Sequence, residues 1–266
     1  MQIHNARIVL TGASGGIGAA LAAELAKRGA RLGLVGRDAA KLNALAQPLA
    51  SQGIEVECIA TDLTLAEGSA VVRARMQARF GGVDIVINNA GITDFTQFSQ
   101  ADPQRIEQVL RTNVLAPMQL SRAVLPDMLD QGRGQIVNVG SIFGSIAFAC
   151  FASYSASKFA LRGFSEALRR ELAGSGVGVT YVAPRAVRTP LNTAAVQRMA
   201  ERIKMAMDEP DQVAKQIVRA IEQDRKDVYL GFPESLFVRI NALWPRLVDA
   251  ALGKQNRIMR EFTREG

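Results

Sequence analysis

Residues 6–18 read Ala6-Arg7-Ile8-Val9-Leu10-Thr11-Gly12-Ala13-Ser14-Gly15-Gly16-Ile17-Gly18, and this run decides the fold. Ile8, Val9 and Leu10 make a short buried strand, a glycine-rich turn follows at once, and Leu21, Leu25 and Ala26 then recur at helical spacing. In that order of elements, free backbone N–H groups and the helix dipole face a pyrophosphate, and glycine lets the backbone come close to it. The same residues also fit a tight turn that merely joins two elements.

Working outward, the unit recurs. Arg31 to Val35 is a second strand, followed by a helix from about Ala39 to Ser51. Ile54 to Ala60 is a third strand, and Val83 to Ile87 a fourth after the helix stop Gly81-Gly82. Pro103 to Asp130 is a long helical stretch interrupted at Thr112 and Asn113, and Gln135 to Gly140 is the fifth strand. Val177 to Ala183 is the sixth and Val228 to Leu230 the seventh, with a helix from Asp211 to Gln223 between them. Each strand precedes a helix, which predicts an α/β, Rossmann-type, doubly wound, seven-stranded parallel sheet with helices on both faces. The expected division is a dinucleotide-binding catalytic domain over 1–232, with a polar, methionine-bearing flap at about 190–208, and an amphipathic helical C-terminal extension over 233–266.

Composition narrows the function. An apolar fraction of 48% in 266 residues supplies one continuous core. No apolar run is long enough to span a bilayer and residues 1–10 lack a signal-peptide pattern, so a cytoplasmic location is expected. Cys58 and Cys150 lack metal-type spacing and read as free thiols in a reducing compartment. His4 is the one histidine, which excludes histidine-dependent triads and most zinc sites; no metal is expected. The net charge of +7 suits an anionic cofactor or a membrane surface better than nucleic acid, because no interleaved aromatic and arginine platform exists.

The candidate cofactor residues lie at strand ends. Where an acidic residue would accept from a ribose 2′-OH, the second strand ends in Gly36-Arg37-Asp38, and an arginine there suits a 2′-phosphate. NADP(H) is therefore favoured over NAD(H), although Arg37 also fits a solvated residue capping the helix from Asp38. Asp62, at the end of the third strand beside Leu63, could accept from an adenine amino group or cap the next helix. Asn88-Asn89-Ala90-Gly91 suits the floor beneath a cofactor. Asn113, on an apolar face, is either a satisfied structural residue or the anchor of a water chain.

The candidate chemistry lies in Ser141 to Lys158. If Tyr154-Ser155-Ala156-Ser157-Lys158 opens a helix, Tyr154 and Lys158 stand one turn apart on one face, where an ammonium favours a phenolate and makes the phenol a proton donor. Ser141 could hydrogen-bond the same oxygen. Between Ser141 and Tyr154, Phe143, Ile146, Phe148, Cys150 and Phe151 suggest a loop lining an apolar pocket or packing at a subunit contact.

These ordered motifs resemble the short-chain dehydrogenase/reductase family, of the larger single-domain kind, over residues 6 to about 231. Thr11 to Gly18, with Gly12, Ser14, Gly16, Ile17 and Gly18, is similar to the family's cofactor loop, and Asn88-Asn89-Ala90-Gly91 to its sheet-stabilising motif. The resemblance implies a tetrad of Asn113, Ser141, Tyr154 and Lys158. Tyr154 would act as general acid in reduction and base in oxidation, and Ser141 would polarise the carbonyl. Lys158 would lower the phenol pKa and hold the nicotinamide ribose, while Asn113 supports a water relay. It further implies hydride transfer at nicotinamide C4, Ala90 and Gly91 along the adenosine ribose, Asp62 and Leu63 beside adenine, Pro184 and Thr189 at the nicotinamide, and a homodimer or homotetramer.

Pro184-Arg185 departs from the family's usual Pro-Gly, and Arg185 is expected to point into the pocket, where it could meet an anionic group. The tail carries Leu236, Phe237, Ile240, Leu243, Trp244, Leu247, Val248 and Ala251 with a break expected at Pro245, and basic residues accompany the stripe. A substrate lid, a subunit contact and an anchor peripheral to the inner face of the membrane all fit it. The expected function is an NADP(H)-dependent oxidoreductase acting on a carbonyl or secondary alcohol, with an apolar or acyl, lipid-like substrate; the alternative is an NADP(H)-binding sensor or scaffold with little turnover.

Overall fold

The computed structural model of the protein describes residues 1–263. Seven strands, β1 (Arg7–Thr11), β2 (Arg31–Gly36), β3 (Val56–Ala60), β4 (Ile85–Asn88), β5 (Gly134–Val139), β6 (Val177–Ala183) and β7 (Asp227–Tyr229), form one parallel sheet in the order β3-β2-β1-β4-β5-β6-β7. Strand side chains alternate between two buried faces, as a sheet covered on both sides requires. Ile8 and Leu10 of β1 and Ile85 and Ile87 of β4 face one core, with α1 (Gly16–Ala26), α2 (Ala39–Ala50) and α8 (Pro210–Glu222). Val9 and Val86 face the other, with α3 (Gly68–Phe80), α5 (Ala116–Asp130) and α6 (Ala152–Glu171).

The expected long helix before β5 is α4 (Pro103–Leu110) running into α5 through a π turn over Arg111–Leu115, where the Ala116 N–H reaches back to the Arg111 carbonyl. Asn113 sits in that turn and is fully buried. Between β4 and β5, Asn88 Nδ2 donates to Asn138 Oδ1 at 2.8 Å, and Asn138 Nδ2 donates to Ser165 Oγ at 2.8 Å. This buried chain ties both strand ends to α6.

The segment 190–208, expected as a flap, holds α7 (Ala194–Arg202), capped by Thr193, with Val196, Met199 and Ala200 buried on one face. The tail breaks as expected into α9 (Glu234–Leu243) and α10 (Pro245–Phe262). Both pack on the chain itself. Val238 and Val248 join Ile142, Ile146 and Tyr181, while Met259 joins Phe151, Val196 and Met199. The apolar segment after Ser141 is thus covered within the chain by α9 and α10.

Candidate active site

Between β1 and β4 the strand order reverses, which opens a crevice at the carboxyl ends of the strands. Gly12 follows β1, Ala90 and Gly91 follow β4, Ser141 follows β5 and Pro184 follows β6. A Cβ at Gly12 would stand 2.8 Å from the Ala90 Cα, and its φ of +62° is one that L side chains avoid, so this approach of two strand ends needs glycine. Thr11 fixes it, its Oγ1 accepting from the Asn89 and Ala90 N–H groups at 2.9 and 3.0 Å. The Asn89 side chain donates back to the Thr11 and Gly12 carbonyls, so this residue braces the turn.

Two cavities lie along the crevice. One, of about 180 Å³, is lined by Gly12, Ser14, Arg37, Asp62, Leu63, Ala90 and Gly91 among others. Arg37 is exposed there, and Asp38, not Arg37, caps α2 through the Lys41 N–H. Asp62 caps no helix, because α3 begins at Gly68; it accepts from the Thr64 N–H and hydroxyl at 2.9 and 2.7 Å. Burial pushes its carboxyl up, but the Thr64 bonds and the Arg37 charge together hold it below the usual range.

The other cavity, of about 110 Å³, contains Ser141, Phe143, Tyr154, Pro184, Arg185 and Thr189 in its lining, with Ile17 from the start of α1. Gly16 and Thr189 meet tightly: a Cβ on the glycine would stand 2.6 Å from the threonine Cγ2. Phe148 lies beyond this cavity, stacked on Phe143 with centroids 4.5 Å apart.

The four tetrad residues converge beside the second cavity. The Ser141 hydroxyl is close enough to the Tyr154 phenol to pull its pKa down, and its Oγ accepts the Phe143 N–H at 3.2 Å. Lys158 is buried, with Nζ 5.7 Å from the Tyr154 ring centre and donating to the Val139 carbonyl at 3.1 Å. A Cβ at Gly91 would fall 3.3 Å from Asn113 Oδ1 and 3.6 Å from Lys158 Nζ, so these groups crowd one strand end. Asn113 is satisfied by its surroundings: Oδ1 accepts from the Ile92 N–H at 2.9 Å, and Nδ2 donates to the Ile92 carbonyl at 2.9 Å and to Ser157 Oγ at 3.0 Å.

Two expectations are corrected here. A depressed phenol does not follow from the Tyr154–Lys158 spacing: burial pushes Tyr154 up to about 12, against the pull of Ser141, and burial alone lowers Lys158 to about 8. Desolvation outweighs a cation that points at a carbonyl and not at the phenol oxygen. Arg185 lines the cavity, but its guanidinium is taken up by protein. It pairs with Asp208 at 2.7 Å and Glu234 at 3.1 Å, and donates to the Phe232 carbonyl at 3.1 Å. Two carboxylates on one guanidinium leave no free charge for an anionic ligand.

The sequence reading passed over Thr11, Ser157 and Tyr181. Tyr181 is fully buried and its hydroxyl donates to the Ser141 carbonyl at 3.2 Å, holding the serine backbone. Its position inside β6 looks like core, and only the three-dimensional neighbour reveals the contact.

A family model described as short chain dehydrogenase matches residues 6–200. The chain is 34% identical to "Dehydrogenase/reductase SDR family member 7B" of Bos taurus, over 97% of this chain and 84% of that protein. The crystal structure of a metagenomic short-chain oxidoreductase in complex with NADP is 32% identical, with a TM-score of 0.74, covering 86% of this chain and 98% of that one. A Burkholderia phymatum short chain dehydrogenase/reductase in complex with NAD shares the fold with a TM-score of 0.85 over 93% and 96% of the two chains, at 24% identity. Its strand-end residues and these similarities agree: the chain belongs to the short-chain dehydrogenase/reductase family.

Proposed function

We propose that the chain is an NADP(H)-dependent oxidoreductase that transfers a hydride between nicotinamide and an apolar carbonyl compound or its secondary alcohol. The observation that carries this reading is the convergence of Ser141, Tyr154, Lys158 and Asn113 at one end of a crevice whose other end holds Arg37 and Ser14. The residues fit such a cofactor. Gly12 lets the β1 turn close on Ala90 at the cavity wall, and the exposed Arg37 guanidinium and Ser14 hydroxyl suit a 2′-phosphate. The NADP-bound metagenomic relative agrees with this choice.

When bound, the nicotinamide supplies or accepts the hydride. The chain's own residues manage the proton. A phenol pushed up to about 12 is protonated at neutral pH, so Tyr154 is ready to give its proton to a carbonyl oxygen held by Ser141. Lys158, charged in the main below its pKa of about 8, offsets the phenolate that remains. In oxidation Tyr154 takes the proton back. The Phe143 and Phe151 rings beside Tyr154 make an apolar approach to this centre, which favours a substrate with apolar substituents.

The same reading takes the chain as a homodimer or homotetramer in the cytoplasm, peripheral to the inner face of the membrane. Supporting the last point, Leu243, Trp244 and Leu247 are each at least 60% exposed at the α9–α10 elbow, and Phe232 is 75% exposed just before α9, with Arg239 and Arg246 near the elbow in sequence. No helix among the described residues is long and apolar enough to cross a membrane.

The test is oxidation of NADPH and NADH by the purified protein with aliphatic, aromatic and acyl-thioester carbonyls, alongside Tyr154→Phe. Turnover that prefers NADPH and falls by about 10²-fold or more in the variant, with NADPH binding kept, is the expected result. Tight NADPH binding without turnover on any carbonyl would replace this reading with that of a cofactor-loaded sensor.

A further inference from the structure

A third cavity, larger than the two in the crevice at about 570 Å³, lies under α9 and α10. Ile146 and Phe148 form its floor, from the segment that leads out of Ser141, and Ile240, Val248 and Leu252 come from the two C-terminal helices. Among the described residues its charged lining is Arg185, Glu234 and Lys204, and the first two are paired with each other. The volume is within the range of small-molecule sites, ~300–1,000 Å³. What remains to be explained is an apolar chamber of this size beside a catalytic cavity of about 110 Å³.

The two cavities share a wall. Phe143, Arg185, Ala186 and Met205 line both. Met205 is unbranched and adaptable, so it is a side chain that can yield to a passing chain. Arg185 cannot attract a carboxylate into the wall, because Asp208 and Glu234 already neutralise it. At its far side the chamber reaches Phe237 and Leu247, which are themselves 45% and 62% exposed. The space therefore runs from the wall beside Tyr154 to the surface at the α9–α10 elbow.

We propose that this chamber receives the unbranched alkyl tail of the substrate, with the reacting carbonyl at Ser141 and Tyr154 and the tail passing Phe143 and Met205 to lie under α9 and α10. This rests on the reductase reading and adds to it the substrate class, a long-chain acyl carbonyl. It also gives the C-terminal helices a role, as the roof of a tail-binding site. Because the chamber opens at the elbow, a tail longer than the chamber emerges there and is tolerated.

The experiment is kcat/KM with NADPH for a homologous series of straight-chain 3-oxoacyl thioesters from short to long. Each added methylene is expected to raise kcat/KM about fourfold while the tail fills the chamber, after which the profile levels off without falling. Ala206→Trp and Ala251→Trp place bulk at two exposed lining positions and are expected to flatten that slope. Turnover with no gain along the series, or the same slope in both variants, would overturn the chamber and leave the reductase standing. If no thioester turns over, the acyl-carbonyl substrate class falls, and binding of a fluorescent straight-chain fatty acid decides the chamber alone. Saturable binding weakened about tenfold or more in both variants supports it; no saturable binding, or binding equal in all three proteins, overturns it.

Discussion

Asn113 Nδ2 donates to Ser157 Oγ at 3.0 Å, and Ser157 Oγ in turn donates to the Tyr154 carbonyl at 2.7 Å. The asparagine of the π turn therefore holds the helical turn that carries both Tyr154 and Lys158. It also satisfies both backbone groups of Ile92, just past the Ala90-Gly91 strand end.

Replacing Asn113 by alanine strands the Ile92 N–H and carbonyl and removes the Ser157 contact. Each unsatisfied buried group costs ~1–3 kcal/mol, and because both Ile92 groups are only part-buried the lower half of that range applies, so a loss of about 2–4 kcal/mol is expected by urea unfolding. Ser157→Ala strands one N–H of the asparagine and is expected to cost about 1 kcal/mol. Equal losses in the two variants would mean that Ile92 is not what Asn113 supports.

Lys158 and Tyr154 act on the pH dependence of stability with opposite signs. Lys158 falls from its ordinary 10.5 to about 8, so between these values the unfolded chain binds more protons than the native one, and stability rises with pH. Lys158→Met is expected to remove that rise, with the variant gaining most on the wild type below about pH 8. Tyr154 rises from 10 to about 12, so above about pH 10 the native state binds more protons and stability falls; Tyr154→Phe removes the fall. Urea unfolding of the three proteins at about pH 7.5, 9.5 and 11 checks both, because other groups cancel in the differences. A wild-type-to-Lys158→Met gap that does not change with pH would contradict the burial of the ammonium.

On the proposed reading, Arg37 is the residue that separates the two dinucleotides. A hydrogen bond to a charged group contributes ~1.5–3 kcal/mol, so Arg37→Ala is expected to weaken NADPH binding by about 10- to 100-fold and to leave NADH nearly unchanged. Fluorescence titration of both cofactors reads this directly. A parallel loss for both would assign Arg37 to the fold and leave the 2′-phosphate without its cation.

Arg185 joins the turn after β6 to the Asp208 loop and the start of α9. Arg185→Met leaves two carboxylates facing one another without their cation. The groups are 13–26% exposed, so solvent reduces the cost of breaking the network, to about 1–3 kcal/mol. Limited proteolysis is expected to cut earlier in α9 and α10 than in the wild type. Unchanged proteolysis would show that the apolar contacts of Val238 and Val248 alone secure the tail.

Much of this was legible in the residues. Ile8, Val9 and Leu10 before the glycine turn, and Val177 to Ala183 with Thr180 as the one polar member, are covered on both sheet faces, and a parallel strand so covered leaves a nearly continuous apolar run. Pro245 marked the break between α9 and α10, where it stands at the start of α10; Pro48 and Pro126 lie inside α2 and α5, so a proline alone does not decide such a break. The direction of Arg185 was not legible, since its partners Asp208 and Glu234 lie 23 and 49 residues away. The phenol shift was missed for a similar reason: spacing puts Lys158 near Tyr154, but only tertiary burial decides whether desolvation or attraction wins. The buried face of α7 was written in Val196, Met199 and Ala200, at helical spacing, and the surrounding polarity hid it.

The π turn at Arg111–Leu115 makes the helical passage from α4 to α5 one that counts its residues. Deleting a single position there would close the π turn into an ordinary α turn and draw its residues back into the helix wall. Asn113 would swing away from Ile92, while the exposed faces of α4 and α5 would look no different as sequence. Lineages of this chain should accept many substitutions along these helices and almost no change in their length, so that the gap pattern of an alignment, more than residue identity, would mark where the active site begins.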